Sequence, residues 1–396
     1  MPRTAPGSVF EVFRVFLRLG CTAFGGPVAH LGYFRAELVA RRRWLDEADY
    51  ADLVALCQCL PGPTSSQVGI GLGLRRAGMA GAAAAWLGFT LPSALLLVLL
   101  ALGLQTVAGG PALDGVLHGL KIAAVAVVAQ AVWGMGRSLC PDRPRAGLAV
   151  AALLVVLLGP PTAGPLLAIG LGAVVGRWAL PAVEAPPAIG GYGVSRRTGA
   201  VLLLAFVLLL VGLPLVAAAT GAAGWSAVAA FYRAGALVFG GGHVVLPLLQ
   251  AAAVPPGWID HGLFLAGYGA AQAVPGPLFA FAAYLGAAMQ VPFGGVAGAA
   301  VLLVALFAPG VLLVLGALPF WETLRRHAAV QRALAGVNAA VVGVLAAALY
   351  DPVIVQAIEG RMDVALAVAA GGLLMVGRVS PVVVVGLAAV AGALTV

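Results

Sequence analysis

Phe16–Pro27 reads FLRLGCTAFGGP and Phe231–Gly242 reads FYRAGALVFGGG, and these two stretches decide the fold because they repeat one pattern. Each places an arginine and a glycine ahead of Phe-Gly-Gly, and the two lie 215 residues apart in a mostly apolar chain. Paired glycines weaken a helix because they lack a Cβ and gain backbone freedom. Each stretch therefore predicts a helix that breaks at the same place in its half of the chain.

A second pair of helix breakers follows in each half. Pro-Gly-Pro at 61–63 comes three residues after Gln58, and Pro-Gly-Pro at 275–277 comes three residues after Gln272, 214 positions later. Proline cannot continue a helix because it has no N–H and clashes with the preceding turn. Two matched pairs of breaks predict a transporter of two repeats, with unwound backbone meeting at their interface.

The composition indicates an all-α integral membrane protein. Hydrophobic residues make up 62% of the 396 residues and charged residues only 9%, against about 25% charged in soluble domains. Apolar runs such as 80–104 and 198–219 exceed the ~20 residues that cross a bilayer core. The first residues lack a short, basic and cleavable apolar pattern, so we expect no removable signal peptide.

The charge and the motifs exclude several function classes. The net charge is +8, but the arginines lie in short loops between apolar segments, which indicates membrane orientation rather than a nucleic-acid partner. The four cysteines form no disulfide or zinc framework, so we expect no metal and no cofactor. The chain also lacks the phosphate-binding and hydrolase motifs, so we predict that it is not an enzyme.

The arginine positions predict the topology. If each broken pair is a re-entrant hairpin, the arginine-rich loops of both halves fall on one face, and Arg361 is the only exception. The positive-inside rule then gives a cytoplasmic N-terminus, nine full crossings and four hairpins in the cytoplasmic membrane. The hairpins of the two inverted repeats meet near the bilayer midplane, where unwound backbone is tolerated only if it is buried or lines a watery cavity.

This topology divides the chain into three parts. Residues 1–180 form the first transmembrane repeat, residues 181–220 form a polar linker and one connecting transmembrane helix, and residues 221–396 form the second, inverted repeat.

Broken helices offer a binding site for anions. The second part of each broken helix begins with N–H groups that have no helical acceptor, and the helix dipole makes this end positive. Arginine suits the oxygens of a tetrahedral oxyanion, and an ionisable residue within a membrane is a functional candidate. The predicted substrate-binding residues are Arg18, Phe24, Gly25, Gly26, Pro27, Gln58, Pro61, Gly62, Pro63, Arg233, Phe239, Gly240, Gly241, Gly242, His243, Gln272, Pro275, Gly276 and Pro277.

Several of these residues have a structural interpretation as well. Arg18 could reach the lipid headgroups or pair with Glu37 or Asp52. The two glutamines could cap broken backbone, and His243 could be a packed, hydrogen-bonded histidine. His30, His118 and Lys121 are weaker candidates, and we expect the last two to join a charge cluster near the membrane edge.

The paired Phe-Gly-Gly and Pro-Gly-Pro motifs resemble those of the chromate ion transporter family, in its long-chain, two-repeat form. The resemblance covers essentially the whole chain, although Gly242 stands where the first half has Pro27. It implies a secondary transporter that exports chromate, a tetrahedral dianion, across the cytoplasmic membrane and confers chromate resistance.

Two other functions compete with chromate export. The same fold could carry sulfate or another inorganic anion, because geometry and charge barely separate these ions. The second competing function is that of a membrane enzyme or scaffold that does not transport.

Glycine-rich segments such as Gly294–Gly298 would allow close packing between helices, and such packing would permit a homodimer.

Overall fold

The computed structural model of the chain describes residues 7–24, 26–106, 111–160, 163–181, 192–239, 244–321, 323 and 327–395. Every regular element in these ranges is a helix, and no strand occurs among them. The predicted all-α membrane architecture is confirmed, because several of the helices are long and apolar enough to cross a bilayer.

The helices follow the order predicted from the breakers. Those of the first half and the connecting segment are α1 (Val9–Thr22), α2 (Gly26–Phe34), α3 (Glu47–Cys59), α4 (Thr64–Thr106), α5 (Pro111–Leu139), α6 (Arg143–Leu158), α7 (Gly164–Ala179) and α8 (Arg196–Thr220). Those of the second half are α9 (Ala223–Leu237), α10 (Val245–Ala253), α11 (His261–Ala273), α12 (Phe281–Ala288), α13 (Gly295–Ala317), α14 (Ala328–Ala348), α15 (Arg361–Met375) and α16 (Pro381–Thr395).

Short polar residues cap the helices that begin outside the apolar segments. Asp46 accepts a hydrogen bond from the N–H of Asp49 at 2.8 Å, and Asp260, its counterpart 214 residues later, accepts from Leu263 at 3.1 Å. Ser8 caps α1 in the same way. Such caps satisfy N–H groups that the first turn of a helix leaves free, so they set where each helix starts.

The helix α4 turns back on itself. Ala77 and Gly78 leave helical geometry, and Gly78 adopts φ +66°, which favours glycine. A Cβ on Gly73 would overlap the carbonyl oxygen of Gly81, so the legs 64–76 and 79–106 lie in direct contact. The first leg belongs to a broken hairpin, and the second crosses the structure.

Helix length separates two groups of apolar helices. The segments long and apolar enough to cross a membrane are Thr64–Leu104, Asp114–Leu139, Arg196–Thr220, Gly295–Phe320 and Ala328–Ala357. The helices α6, α7, α15 and α16 contain 15 or 16 residues. They measure about 22–24 Å, which is shorter than the ~30 Å hydrocarbon core, so the count of nine full crossings remains a prediction.

Ion pairs rich in arginine mark one end of the structure, here called the basic end. Arg76 pairs with Glu11 at 3.1 Å, Arg42 pairs with Glu37 at 2.6 Å, and Arg75 also pairs with an acid, Asp49. The crossing leg 79–106 starts beside Arg76 and runs about 40 Å away from this end.

A second charge cluster lies beside the last turns of that leg, where Leu100 packs near Leu120, and is here called the acidic end. His118 Nε2 lies 2.9 Å from Asp363, and Lys121 Nζ lies 4.0 Å from Glu359. These contacts confirm that His118 and Lys121 join a charge cluster, whose acids are Asp363 in the first turn of α15 and Glu359 just before that helix. Arg361 borders the same cluster in sequence.

The two halves share their cores. One buried cluster combines α1, α3 and the hairpin leg of α4 with Leu313–Leu318 at the end of the second-half helix α13. The other combines α9 to α13 with Ala94, Leu97 and Ala101 of the first-half helix α4. Each half therefore contributes a helix to the core of the other.

Glycines allow the closest helix contacts. A Cβ on Gly336 in α14 would overlap the carbonyl oxygen of Gly172 in α7, and it would also press on the backbone of Gly176. On the outside of α5, a Cβ on Gly134 would meet nothing within 4 Å. The two positions therefore separate the effect of a larger side chain on packing from its effect on helix propensity.

We expect Gly336→Leu to destabilise the protein by about 2 kcal/mol or more, because the added side chain forces α14 away from α7. Gly134→Leu, the control, should be neutral or mildly stabilising because leucine favours helix. Thermal melting of both purified variants in detergent measures the difference. Equal melting temperatures would contradict the contact between α7 and α14.

Candidate functional site at the helix breaks

The Phe-Gly-Gly segments interrupt their helices as predicted. The first helix ends at Thr22, and the next begins at Gly26, which has φ +77°. In the second half α9 ends at Leu237 and α10 begins at Val245. The predicted site residues Gly25, Gly240, Gly241, Gly242 and His243 lie outside the described residues, and Phe24, Pro27 and Phe239 are half-buried.

The Pro-Gly-Pro segments form matched sharp turns. Gly62 adopts φ +122° and Gly276 adopts φ +100°, a region that side chains disfavour. Pro63, Pro275 and Pro277 are buried. Glycine is therefore required at the centre of each motif by the backbone itself.

The breaks of one half bind the breaks of the other half. The N–H of Gly62 donates to the carbonyl of Val238 at 2.7 Å, and the N–H of Gly276 donates to the carbonyl of Ala23 at 2.9 Å. Gly62 and Gly276 occupy matched positions, as do Ala23 and Val238, so the two bonds are reciprocal. Ala23 and Val238 are fully buried.

The glycine within each arginine motif also has a packing role. A Cβ on Gly20 would lie 2.7 Å from the carbonyl oxygens of Gly88 and Phe89, and a Cβ on Gly235 would overlap the carbonyl of Leu306. Both glycines thus let their helix approach the neighbouring crossing helix closely. This approach brings the end of each helix against the other half.

Both hairpins of the first half start and finish at the basic end. Glu11, at the start of α1, contacts Arg76 and lies 3.9 Å from Arg42, which follows α2. Asp49, at the start of α3, pairs with Arg75 at the end of the returning leg.

One hairpin of the second half closes at a different end. The Tyr284 hydroxyl donates to the carbonyl of Leu263 at 3.0 Å, which ties the middle of α12 to the start of α11. A Cβ on Gly262 would lie 3.9 Å from Lys121 Nζ, so this start lies at the acidic end.

Arg18 lies on an exposed face of α1 together with Arg14 and Thr22, one turn away on either side. The acids considered as its partners make other contacts, because Glu37 pairs with Arg42 and Asp52 accepts from the indole N–H of Trp321 at 2.9 Å. We call the face formed by Arg14, Arg18 and Thr22 the arginine stripe.

The arginine stripe starts at a recess and ends at a break. A recess of about 270 Å³ at the basic end is lined by Ser8, Phe10, Glu11, Arg14, Val15 and Arg42. Thr22 is the last residue of α1 before the Phe-Gly-Gly segment. In the second half Arg233 is exposed as well, but Ala229, one turn before it, is buried.

The two glutamines differ in their surroundings. Gln58 is exposed on α3. Gln272 is half-buried, its side chain bonds to that of Tyr268, and its buried Nε2 has no partner among the described residues. The matched sequence positions therefore do not have matched contacts.

A buried polar segment beside the first Pro-Gly-Pro was not predicted from the sequence. The first turn of α4 consists of Thr64, Ser65, Ser66 and Gln67, and all four are buried. His30, a weak candidate by sequence, is also buried and places Nδ1 3.2 Å from the Ser65 hydroxyl. The signal was four consecutive polar residues directly after a helix breaker in an apolar chain.

Comparison with known proteins identifies the relatives of this chain. The family model described as "Chromate transporter" matches residues 10–177 and again residues 225–393. The chromate transport protein of Pseudomonas aeruginosa is 30% identical over 370 residues, which cover 87% of this chain and 81% of that protein. The chromate transport protein of Cupriavidus metallidurans is 27% identical over 380 residues, covering 93% and 89%.

A further relative is the probable chromate transport protein of Synechococcus elongatus, 28% identical over 344 residues that cover 86% of this chain and 84% of that protein. No solved structure matches the chain. The family model accounts for both halves, and the breaks that it spans in each half contact one another. This chain is thus a member of the chromate transporter family.

Proposed function

We propose that this protein exports chromate across the cytoplasmic membrane as a secondary transporter and thereby confers chromate resistance. Family membership and the names of its relatives support chromate as the substrate. The structural observation that best supports a transport function is the reciprocal hydrogen bonding between the breaks of the two halves. It brings unwound backbone from both halves to one place, which is the arrangement of midplane substrate sites in repeat-built transporters.

We further propose that the halves are inverted repeats, with residues 1–180 and 221–396 as the repeats and residues 181–220 as their connection. The first-half hairpins start and finish at the basic end, while α11 and α12 close at the acidic end. By the positive-inside rule the basic end faces the cytoplasm. One set of hairpins then opens to the cytoplasm and the other opens outward.

The arginine stripe would form the cytoplasmic approach to the breaks. Arg14 and Arg18 are exposed, and an arginine that faced lipid near the bilayer centre would be costly. The recess beside Arg14 supports a water-filled face at this position. A positively charged cleft concentrates anions, so this face would raise the local concentration of chromate.

The membrane potential is a sufficient driving force for export. Moving one charge across 100 mV is worth about 2.3 kcal/mol, so a dianion leaving a cell that is negative inside gains about 4–5 kcal/mol. Export therefore requires no coupled ion on energetic grounds.

Everted membrane vesicles test the function directly. We expect vesicles that contain the protein to accumulate radiolabelled chromate, with sulfate as a competitor, because export from the cell becomes uptake in this orientation. Collapsing the membrane potential should reduce uptake, whereas collapsing only the pH gradient should not. Uptake no greater than that of vesicles without the protein would contradict chromate export.

Substitution tests the arginine stripe. We expect Arg18→Ala to lower chromate transport at least about tenfold, since a hydrogen bond to a charged group is worth about 1.5–3 kcal/mol, while the amount of protein in the membrane stays the same. Arg196→Ala is the control, because Arg196 is also exposed but opens α8, whose only buried residue is Gly199. Wild-type transport by Arg18→Ala would remove the arginine stripe from the pathway.

Cysteine accessibility tests the inverted topology. In a background that lacks the four native cysteines, Arg43→Cys should react with an impermeant maleimide only in everted vesicles. Pro256→Cys should react only in intact cells, because it lies in the exposed loop between α10 and α11. Labelling of both positions from one side would contradict inverted repeats.

A further inference from the structure

The first turn of α4 contains donors that the helix itself does not use. The N–H of Gln67 bonds to the carbonyl of Pro63 at 2.9 Å, so the helical ladder begins there. The N–H groups of Thr64, Ser65 and Ser66 precede it and lack an acceptor within the helix. The residue at the cap position is proline, which has no side-chain oxygen to accept from them.

This turn contains buried polar atoms without partners. The hydroxyl of Ser66, which is 2% exposed, has no hydrogen-bond partner among the described residues. The same holds for Oε1 of the neighbouring Gln67 and, on the crossing leg of α4, for the hydroxyl of Thr90. Buried polar groups in proteins are nearly always hydrogen-bonded, so the two unpartnered atoms of the turn indicate a position for a polar ligand.

His30 links this turn to the first break. Its Nδ1 lies 3.2 Å from the Ser65 hydroxyl, and the ring also interacts with the backbone of Ala23. The ring packs edge-on against Phe89, the neighbour of Thr90, with centroids 5.1 Å apart. His30 of α2 therefore lies beside the polar turn and also contacts the crossing leg of α4.

The second half has no equivalent of this polar turn. The positions matched to Thr64–Gln67 are Leu278–Phe281, which read Leu-Phe-Ala-Phe. The position matched to His30 is Val245, and when Pro92 is aligned with Pro309 the position matched to Thr90 is Phe307. The backbone breaks are therefore shared by both halves, but the hydroxyl-rich lining belongs to the first half alone.

The polar turn lies where the two halves meet. Gly62, two residues before Thr64, donates to the carbonyl of Val238 in the second half. The Gln67 side chain donates to the carbonyl of Gly310 at 3.2 Å, again in the second half. The helix α3 leads from the basic end to this turn over 13 residues, or about 20 Å. A ligand at this position would contact both halves well within the membrane.

We propose that the first turn of α4 is the oxyanion-binding site of the transporter, formed by the free N–H groups and the hydroxyls of Thr64, Ser65 and Ser66, with His30 as a positioning residue for Ser65. This inference rests on the proposed function and deepens it. It places the site in the first half alone, whereas the sequence predicted substrate-binding residues at the breaks of both halves. Neutral donors at the positive end of a helix hold a dianion without a fixed counter-charge, so release does not require breaking an ion pair.

Ser66→Ala is the sharpest test, because it removes a hydroxyl that has no partner in the part of the chain that the structure describes. We expect the KM for chromate uptake in everted vesicles to rise about tenfold, with an unchanged or raised melting temperature. Ser226→Ala is the control, because that hydroxyl is remote from the turn and bonds only weakly to Ala222 at 3.5 Å. If Ser66→Ala does not fold, Ser66→Cys keeps the shape of the side chain with a much weaker donor.

The possible outcomes distinguish a failure of the proposed binding site from a failure of the proposed transport function. Wild-type vesicles that do not accumulate chromate would overturn the proposed function. Wild-type vesicles that accumulate it, together with Ser66→Ala and Ser65→Ala/Ser66→Ala variants that keep the wild-type KM, would overturn the site and leave the function intact. If the KM rises and the melting temperature of the same variant falls, Ser66 has a structural role, and this result would also overturn the site.

Discussion

A break in a membrane helix exposes N–H and C=O groups that lipid cannot satisfy, and each such group is costly. This protein satisfies them across its two halves, because the glycine of each Pro-Gly-Pro donates to the carbonyl that precedes the other half's Phe-Gly-Gly. Neither half can complete these bonds alone. The glycine conformations, the buried prolines and the close approach of α1 and α9 to their neighbours all follow from the need to bring the breaks together.

The two halves repeat the backbone breaks, but they do not repeat the polar side chains beside those breaks. Matched breaks, caps and glycine contacts recur in both halves, yet the positions of the second half that correspond to the buried polar turn read Leu-Phe-Ala-Phe. The arginine stripe likewise has two arginines on α1, whereas α9 contains only Arg233. The fold uses two halves to build the interface, while the first half carries most of the polar groups that a substrate would contact.

The sequence predicted the helix breaks, because the effect of glycine and proline on a helix depends on a few neighbouring residues. Sequence could not show which break bonds to which, since those partners lie about 175 to 255 residues apart. It also gave Gln58 the same weight as Gln272, although their exposure differs. Ser65 and Ser66 escaped notice because hydroxyl residues at a helix start normally act as caps, and only the burial of the turn shows otherwise.

The reversal at Ala77 and Gly78 divides α4 into two helical legs that have different surroundings. The leg 64–76 begins with the polar turn, and the leg 79–106 reaches into the core of the other half. The legs are joined through these two residues, and they also touch where Gly73 meets Gly81. A tilt of one leg relative to the other therefore requires torsion at Ala77 and Gly78 and separation of the glycine contact.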